Sequence, residues 1–193
     1  MKNQFILNIM VIKILKVIIK ELEVLLEIPI KYYPSSYFSN KIRSIYYKYK
    51  LGIEDYPTIS NNVDFRGIGL IKIGKNFKIN KNCTIDSNGS KGIFLGENVS
   101  IGTGVYIRSA NHSFNNRDVP IQKQGFEYKT IVHESKEYSI IIEDDVWIGS
   151  NCILLTGTHL KKGTILSAGS VVSSKIDEYC IAVGNPARVI LKR

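Results

Sequence analysis

From Ile59 onward the chain repeats itself every six residues, and few folds accept that period. An aliphatic residue opens each unit. Ile73-Gly-Lys-Asn-Phe77, Ile79-Asn-Lys-Asn-Cys83 and Ile85-Asp-Ser-Asn-Gly89 follow one another. After four inserted residues come Leu95-Gly-Glu-Asn-Val99, Ile101-Gly-Thr-Gly-Val105 and Ile107. The beat resumes at Ile142-Glu-Asp-Asp-Val146 and Ile148-Gly-Ser-Asn-Cys152, then runs through Leu154, Leu160, Leu166 and Val172. Ile59-Ser-Asn-Asn-Val63 and Phe65 extend it backward, for about 14 units in all. Six matches neither the helical period nor the strand period. It is the period of a parallel β-helix, in which each unit supplies a short strand and a turn. The first residue points inward, a small or modest fifth residue fills the corner, and Gly or Asn near the turn tolerates positive φ. Three units close a triangular turn, so roughly four to five turns stack. The expected fold is mainly β, with the repeat domain over residues 57–183, an N-terminal helical segment over 1–56 and a C-terminal tail over 184–193.

The head of the chain has a different character. Residues 5–28 place apolar side chains at helical spacing, as at Ile14, Val17, Ile18, Leu22, Leu25 and Leu26. Lys13, Lys16, Lys20, Glu21, Glu23 and Glu27 interrupt the run, which argues against a membrane span or a secretory leader. An amphipathic helix ending before Pro29 or Pro34 is expected. It packs on the rest of the protein or on a partner subunit, or it makes a peripheral membrane contact. Residues 37–50 read as a second, basic and aromatic helix. The net charge of +9 is concentrated here: residues 1–50 hold nine basic and three acidic side chains. No nucleic-acid-binding motif accompanies this charge, so no nucleic acid partner is expected. The same excess of Lys, with Ile and Asn, also fits an A/T-rich coding bias. The three cysteines, Cys83, Cys152 and Cys180, lie far apart and read as free buried thiols in a reducing compartment.

Between Ile107 and Ile142 the spacing is 35 residues where six are expected, so 29 residues leave the repeat as one loop, about residues 109–140. Long loops in compact domains usually carry function. This one opens Ser109-Ala110-Asn111-His112-Ser113-Phe114, continues through Asp118-Val119-Pro120 and Gln124-Gly125-Phe126-Glu127, and returns in Val146-Trp147-Ile148-Gly149-Ser150. With Gly184-Asn185-Pro186-Ala187-Arg188-Val189-Ile190 and Pro34-Ser35-Ser36-Tyr37, these segments resemble the hexapeptide-repeat acyltransferases. Within that family they are most similar to the branch of sugar and polysaccharide O-acetyltransferases. The resemblance covers most of the chain. Residues 130–139 depart from it and look like an insertion able to reshape the acceptor pocket.

The resemblance implies a left-handed coil, a homotrimer with each site between neighbouring coils, acetyl-CoA as cosubstrate and a sugar or glycan acceptor. Acyl transfer from a thioester to a hydroxyl needs a base, and imidazole suits neutral pH. By the match His112 is that base, with Glu127 as the group that orients it. Asn111 and Asp118 are the acceptor contacts. Trp147 lines the pantetheine channel and Ser150 lies near the thioester. Ala168 and Gly169 let the pantetheine arm approach, and Arg188 meets the CoA phosphates. His133 reads as a surface residue and His159 as a solvated corner or a stacked edge. A zinc carbonic anhydrase on the same coil would need a close histidine pair, whereas the three histidines stand 21 and 26 residues apart; no metal is expected. A serine or amino-sugar N-acetyltransferase and a non-catalytic β-helix scaffold are the other readings. The expected location is the cytoplasm, at or near the inner face of the membrane.

Overall fold

The computed structural model describes residues 2–193, with side chains from Val11 onward apart from Lys20. Two helices come first, α1 (Lys2–Tyr32) and α2 (Tyr37–Leu51), and short strands follow. The strands form three parallel sheets that the chain visits in strict rotation. The first sheet stacks Thr58–Ile59, Lys78–Ile79, Ser100–Ile101, Trp147–Ile148, Ile165–Leu166 and Cys180–Gly184. The second stacks Asp64–Arg66, Thr84–Asp86, Tyr106–Arg108, Ile153–Leu155 and Val171–Val172. The third stacks Ile71–Ile73, Ile93–Leu95, Ile140–Ile142, His159–Leu160 and Lys175–Ile176.

Strand pairing puts first positions over first positions. Ile59, Ile79, Ile101, Ile148, Leu166 and Ala182 stand in one column. Phe65, Ile85, Ile107, Leu154 and Val172 form the second column. Ile73, Leu95, Ile142, Leu160 and Ile176 form the third. All three columns belong to one core. Each fully buried Ile or Leu contributes about 1.5–3 kcal/mol relative to exposure.

The fourth residue of the unit makes the corner. Asn62, Asn76, Asn82, Asn98, Asp145 and Asn151 all take φ between 54° and 61°, a left-handed conformation that Asn and Asp tolerate better than other non-glycine residues. The fifth residue is buried at most corners, among them Val63, Phe77, Cys83, Cys152 and Ser170. Phe77 is larger than the modest residue expected there. Late in the coil the fifth residue is a hydroxyl that donates to backbone: Thr158 to Leu155 (2.7 Å), Thr164 to Lys161 (2.6 Å) and Ser170 to Ser167 (2.6 Å). The cysteines are free, and burial pushes the Cys83 and Cys152 thiols up.

The two ends of the core are covered. α2 starts in a capping box at Ser36 and stops at Gly52, whose φ of 63° ends the helix. Its Tyr47, 1% exposed, packs 5.3 Å from the Phe65 ring. Arg43 is buried and donates to the Ile30, Tyr33 and Ile59 carbonyls, seating both helices on the first turn of the coil. α1 runs through Pro29 and ends before Pro34. At the other end Ala187–Lys192 folds back antiparallel on Cys180–Gly184, so the last residues extend the first sheet.

A row of charges crosses the end of the second sheet. Arg66, Asp86 and Arg108 pair strand to strand. Asp86 is 4% exposed; Arg108 bonds to it, and Arg66 lies 3.9 Å from the same oxygen. Arg66 also reaches Asp64 at 2.6 Å, and Lys31 of α1 reaches Asp64 at 2.7 Å. The row thus links the helical head to Arg108, the residue from which the long loop departs. Partial burial alone would raise the Asp64 pKa, but the bonds from Lys31 and Arg66 outweigh it and hold the carboxyl below its ordinary range.

Three outcomes are expected. Asn98→Ala and Asn98→Gly both remove the bond from the Asn76 amide, but only alanine is strained at φ 59°. In urea unfolding the alanine variant should be about 1–2 kcal/mol less stable than the glycine variant. Asp86→Ala strands Arg108, and a loss of about 3 kcal/mol with faster amide exchange at residues 109–113 is expected. The Asp64 ion pairs contribute fully above the unfolded carboxylate pKa of about 4 and are lost as pH falls through the lower native value. Acid titration of Asp64→Asn should therefore show lower stability at neutral pH and a shallower decline below about pH 4.

Candidate active site

The loop leaves the coil between the second and third sheets and is pinned where it starts. Arg108 Nε donates to the Ala110 carbonyl at 3.0 Å. Buried Ser109 bonds to the Asp86 carbonyl (3.1 Å) and to Ser90 Oγ (2.7 Å). Asn111–His112 then pairs antiparallel with Phe126–Glu127, His112 opposite Phe126 and Asn111 opposite Glu127. The Phe126 ring is wedged between two supports. It lies against Gly89, where an added Cβ would sit 2.8 Å from the ring, and 5.4 Å from the Arg108 guanidinium. His112 stacks on the outer side of this ring, centroids 5.0 Å apart, and its imidazole is exposed. A short ribbon thus offers an imidazole to solvent on an aromatic platform tied to the coil.

Glu127 is half-buried and accepts from the Asn115 side chain at 3.2 Å; among the described residues no hydrogen bond joins it to His112. Gln124 braces the tip of the loop, donating to the Asn116 (2.7 Å) and Val119 (2.6 Å) carbonyls and accepting from the Asn116 N–H. Asp118 is exposed, with its own N–H bonded to Asn116 Oδ1 at 2.9 Å.

The remaining expected residues lie elsewhere on the coil. Ser150, Ala168 and Gly169 come together at the corner between the first and second sheets. An added Cβ at Gly149 would meet the Ala168 nitrogen at 2.5 Å, so these turns stack backbone to backbone. Ser150 Oγ accepts from the Thr103 N–H (3.3 Å), and the Gly169 N–H donates to the Ser150 carbonyl (2.8 Å). Ala168 and Gly169 are exposed, with open space beside Gly169. Trp147, 56% exposed, stands on the first sheet between Ser100 and Ile165 and walls a hollow with Thr58, Lys78 and Asn80. Arg188 lies at the far end of that sheet, opposite Val183; it is exposed and bonds only to the Ala187 carbonyl among the described residues. One chain therefore carries two separate groups, the His112 ribbon on one edge of the second sheet and the Ser150–Ala168–Gly169 corner on the other.

Two histidine expectations are corrected. Residues 131–138 form a hairpin, turning at Glu134 and Ser135 with positive φ, and it packs on the outer face of the third sheet. His133 and Tyr138 there lie 4.7 and 5.5 Å from the Phe94 ring, so His133 is half-buried instead of a surface residue. His159 is not a solvated corner, since its Nε2 lies 2.6 Å from Glu143 Oε1. Partial burial would raise the Glu143 pKa, but His159 and the Lys162 N–H bring it below the usual range. The row Arg66–Asp86–Arg108 escaped notice, although its signal is present. The residue after the inward one alternates in charge across three successive turns, which is a cross-strand pairing pattern. Among the described residues no group of three or more His, Cys, Asp or Glu is placed to hold a metal.

The family profile described as the hexapeptide repeat of succinyl-transferase matches residues 71–109 and 139–174, the two runs of repeats on either side of the loop. A Saccharomyces cerevisiae protein named as an acetyltransferase is 38% identical over 122 residues, 63% of this chain and 56% of the relative. An Escherichia coli K12 protein named for O-acetyl transfer in lipopolysaccharide biosynthesis is 28% identical over 145 residues, 66% of this chain and 74% of the relative. The chain spans little more than half the length of the first curated relatives that it matches. The crystal structure of a hexapeptide-repeat acetyltransferase of Vibrio cholerae, solved with acetyl-CoA, shares the fold with a TM-score of 0.64 at 24% identity, over 78% of this chain and 76% of that one. In its repeats and its fold the chain is similar to the hexapeptide-repeat acyltransferases.

Proposed function

We propose that the protein transfers an acetyl group from acetyl-CoA to a sugar hydroxyl, in the synthesis of a surface polysaccharide. The observation that carries this reading is the ribbon that presents His112, exposed but stacked on Phe126, beside a coil of acyltransferase type. The imidazole takes the proton of the acceptor hydroxyl as its oxygen attacks the thioester carbonyl. The tetrahedral oxyanion collapses, the carbon–sulfur bond breaks, and the imidazolium returns its proton to the leaving thiolate. No acyl-enzyme forms. Glu127 is the candidate to fix the imidazole tautomer, for which its carboxylate exchanges Asn115 for His112. Asn111 and Asp118 contact acceptor hydroxyls. The polysaccharide role rests on the Escherichia coli relative named for lipopolysaccharide biosynthesis.

Acetyl-CoA fits the second group of residues. The exposed Ala168 and Gly169 leave room for the pantetheine arm, with Trp147 as its wall. Ser150 lies next to the thioester, and the exposed Arg188 guanidinium meets the phosphates. Because the two groups lie on different edges of one coil, the reading requires a second copy whose corner faces the loop of the first, for which the family resemblance supplies a homotrimer of left-handed coils. Three free buried cysteines suit the cytoplasm, where we place the reaction.

His112→Ala is expected to lower kcat by roughly 10²–10⁴ with little change in KM for acetyl-CoA. Wild-type rates of CoA release with a verified acceptor would refute the mechanism. Co-expressing His112→Ala with a corner-blocked Gly169→Trp chain should restore about a quarter of the sites by random mixing. No restoration would place both groups in one subunit's site.

A further inference from the structure

α1 meets its own chain with its charged side. Glu27 pairs with Lys50 of α2, Lys31 pairs with Asp64, and Glu23, Glu27 and Lys31 form one row at four-residue spacing. The opposite side carries Val11, Ile14, Leu15, Ile18, Leu22 and Leu25 at spacings of three and four, each 45–62% exposed. This is an apolar face of about four turns with nothing against it among the described residues. It continues into a groove of about 290 Å³ between the two helices, lined by Pro29, Ile30, Tyr33, Phe38 and Ile42. Phe38, Tyr33 and Tyr37 are 72%, 64% and 86% exposed at the helix junction.

Charge selects the occupant. Residues 2–20 carry four lysines and no carboxylate, and Lys13 and Lys16 are exposed on the charged side of the helix, across from the apolar face. α2 likewise has no Asp or Glu. A second copy seated on the apolar face would leave these lysines on the outer sides of the pair, with no carboxylate in that half to offset them. An anionic bilayer offers acyl chains to the apolar row, phosphates to the lysines and a headgroup layer to the aromatic cluster. Among the described residues no helix is long and apolar enough to cross a membrane. We propose that α1 lies flat on an anionic membrane, buried along Val11–Leu25 and held at its junction by Tyr33, Tyr37 and Phe38.

Flotation of the full-length protein with lipid vesicles tests this independently of acetyl transfer. Binding is expected to vesicles of phosphatidylcholine with one-third phosphatidylglycerol, weakly to phosphatidylcholine alone, and less at high salt. Lys13→Gln with Lys16→Gln should lower the partition coefficient roughly 30-fold. Leu22→Asp with Leu25→Asp should abolish binding while sedimentation mass and the thermal unfolding of the coil stay as in wild type. Absence from both vesicles, or equal binding to both, overturns the proposal. So does a smaller sedimentation mass for the Leu22→Asp, Leu25→Asp variant, which would assign the face to a second copy. The lysine variant, on exposed positions, decides the question if the leucine variant fails to fold.

Discussion

Most corners of the coil depend on one backbone requirement: a residue that accepts positive φ three places after the inward aliphatic residue. Asn98 and Asn151 turn there, and the chain moves from one sheet to the next. Because the turn recurs every six residues, first positions fall over first positions, and Ile79 meets Ile101 and then Ile148. The core is a consequence of this spacing. No strand exceeds a few residues, so each contributes little by itself. Stability comes from stacking many equivalent turns, as nearest-neighbour terms.

Local requirements were readable from sequence and long-range partnerships were not. The inward column, the Asn corners and the buried fifth position are properties of single units, and periodicity displays them. The bond between Glu143 and His159 joins neighbouring turns; the period pairs Ile142 with Leu160 but does not say which outward side chains bond across them. The segment 131–138 reads as an irregular insertion because its turn is Glu134-Ser135, not the glycine-bearing pair that usually announces a hairpin. Its site on the third sheet depends on Phe94, far away in sequence. Of the two ends that Pro29 and Pro34 offered, α1 takes the second and runs to Tyr32, because Pro29 removes one donor without barring the next turn.

The candidate site shows the same division. Asn111 and His112 stood out by their place at the start of the loop. What holds them there did not: Phe126 resting on Gly89, and Arg108 held by Asp86, are contacts between separate turns. The imidazole is exposed and rests on Phe126, whose ring leans on Gly89 and Arg108, so its position is set by the coil and its access by the solvent side. The loop itself is braced mainly by its own side chains, with Gln124 holding Asn116 and Val119.

The place where the loop departs has a wider meaning. The chain leaves after Arg108, makes its excursion, and re-enters at Ile140–Ile142 directly beside Ile93–Leu95, where an uninterrupted repeat would have placed the next strand. The excursion displaces no inward residue. A corner of this coil is therefore a point at which chain length is decoupled from the core. Segments of other lengths can be carried between Arg108 and Ile140 while each inward side chain keeps its neighbours, so what the site accepts can change without renegotiating what makes the protein fold.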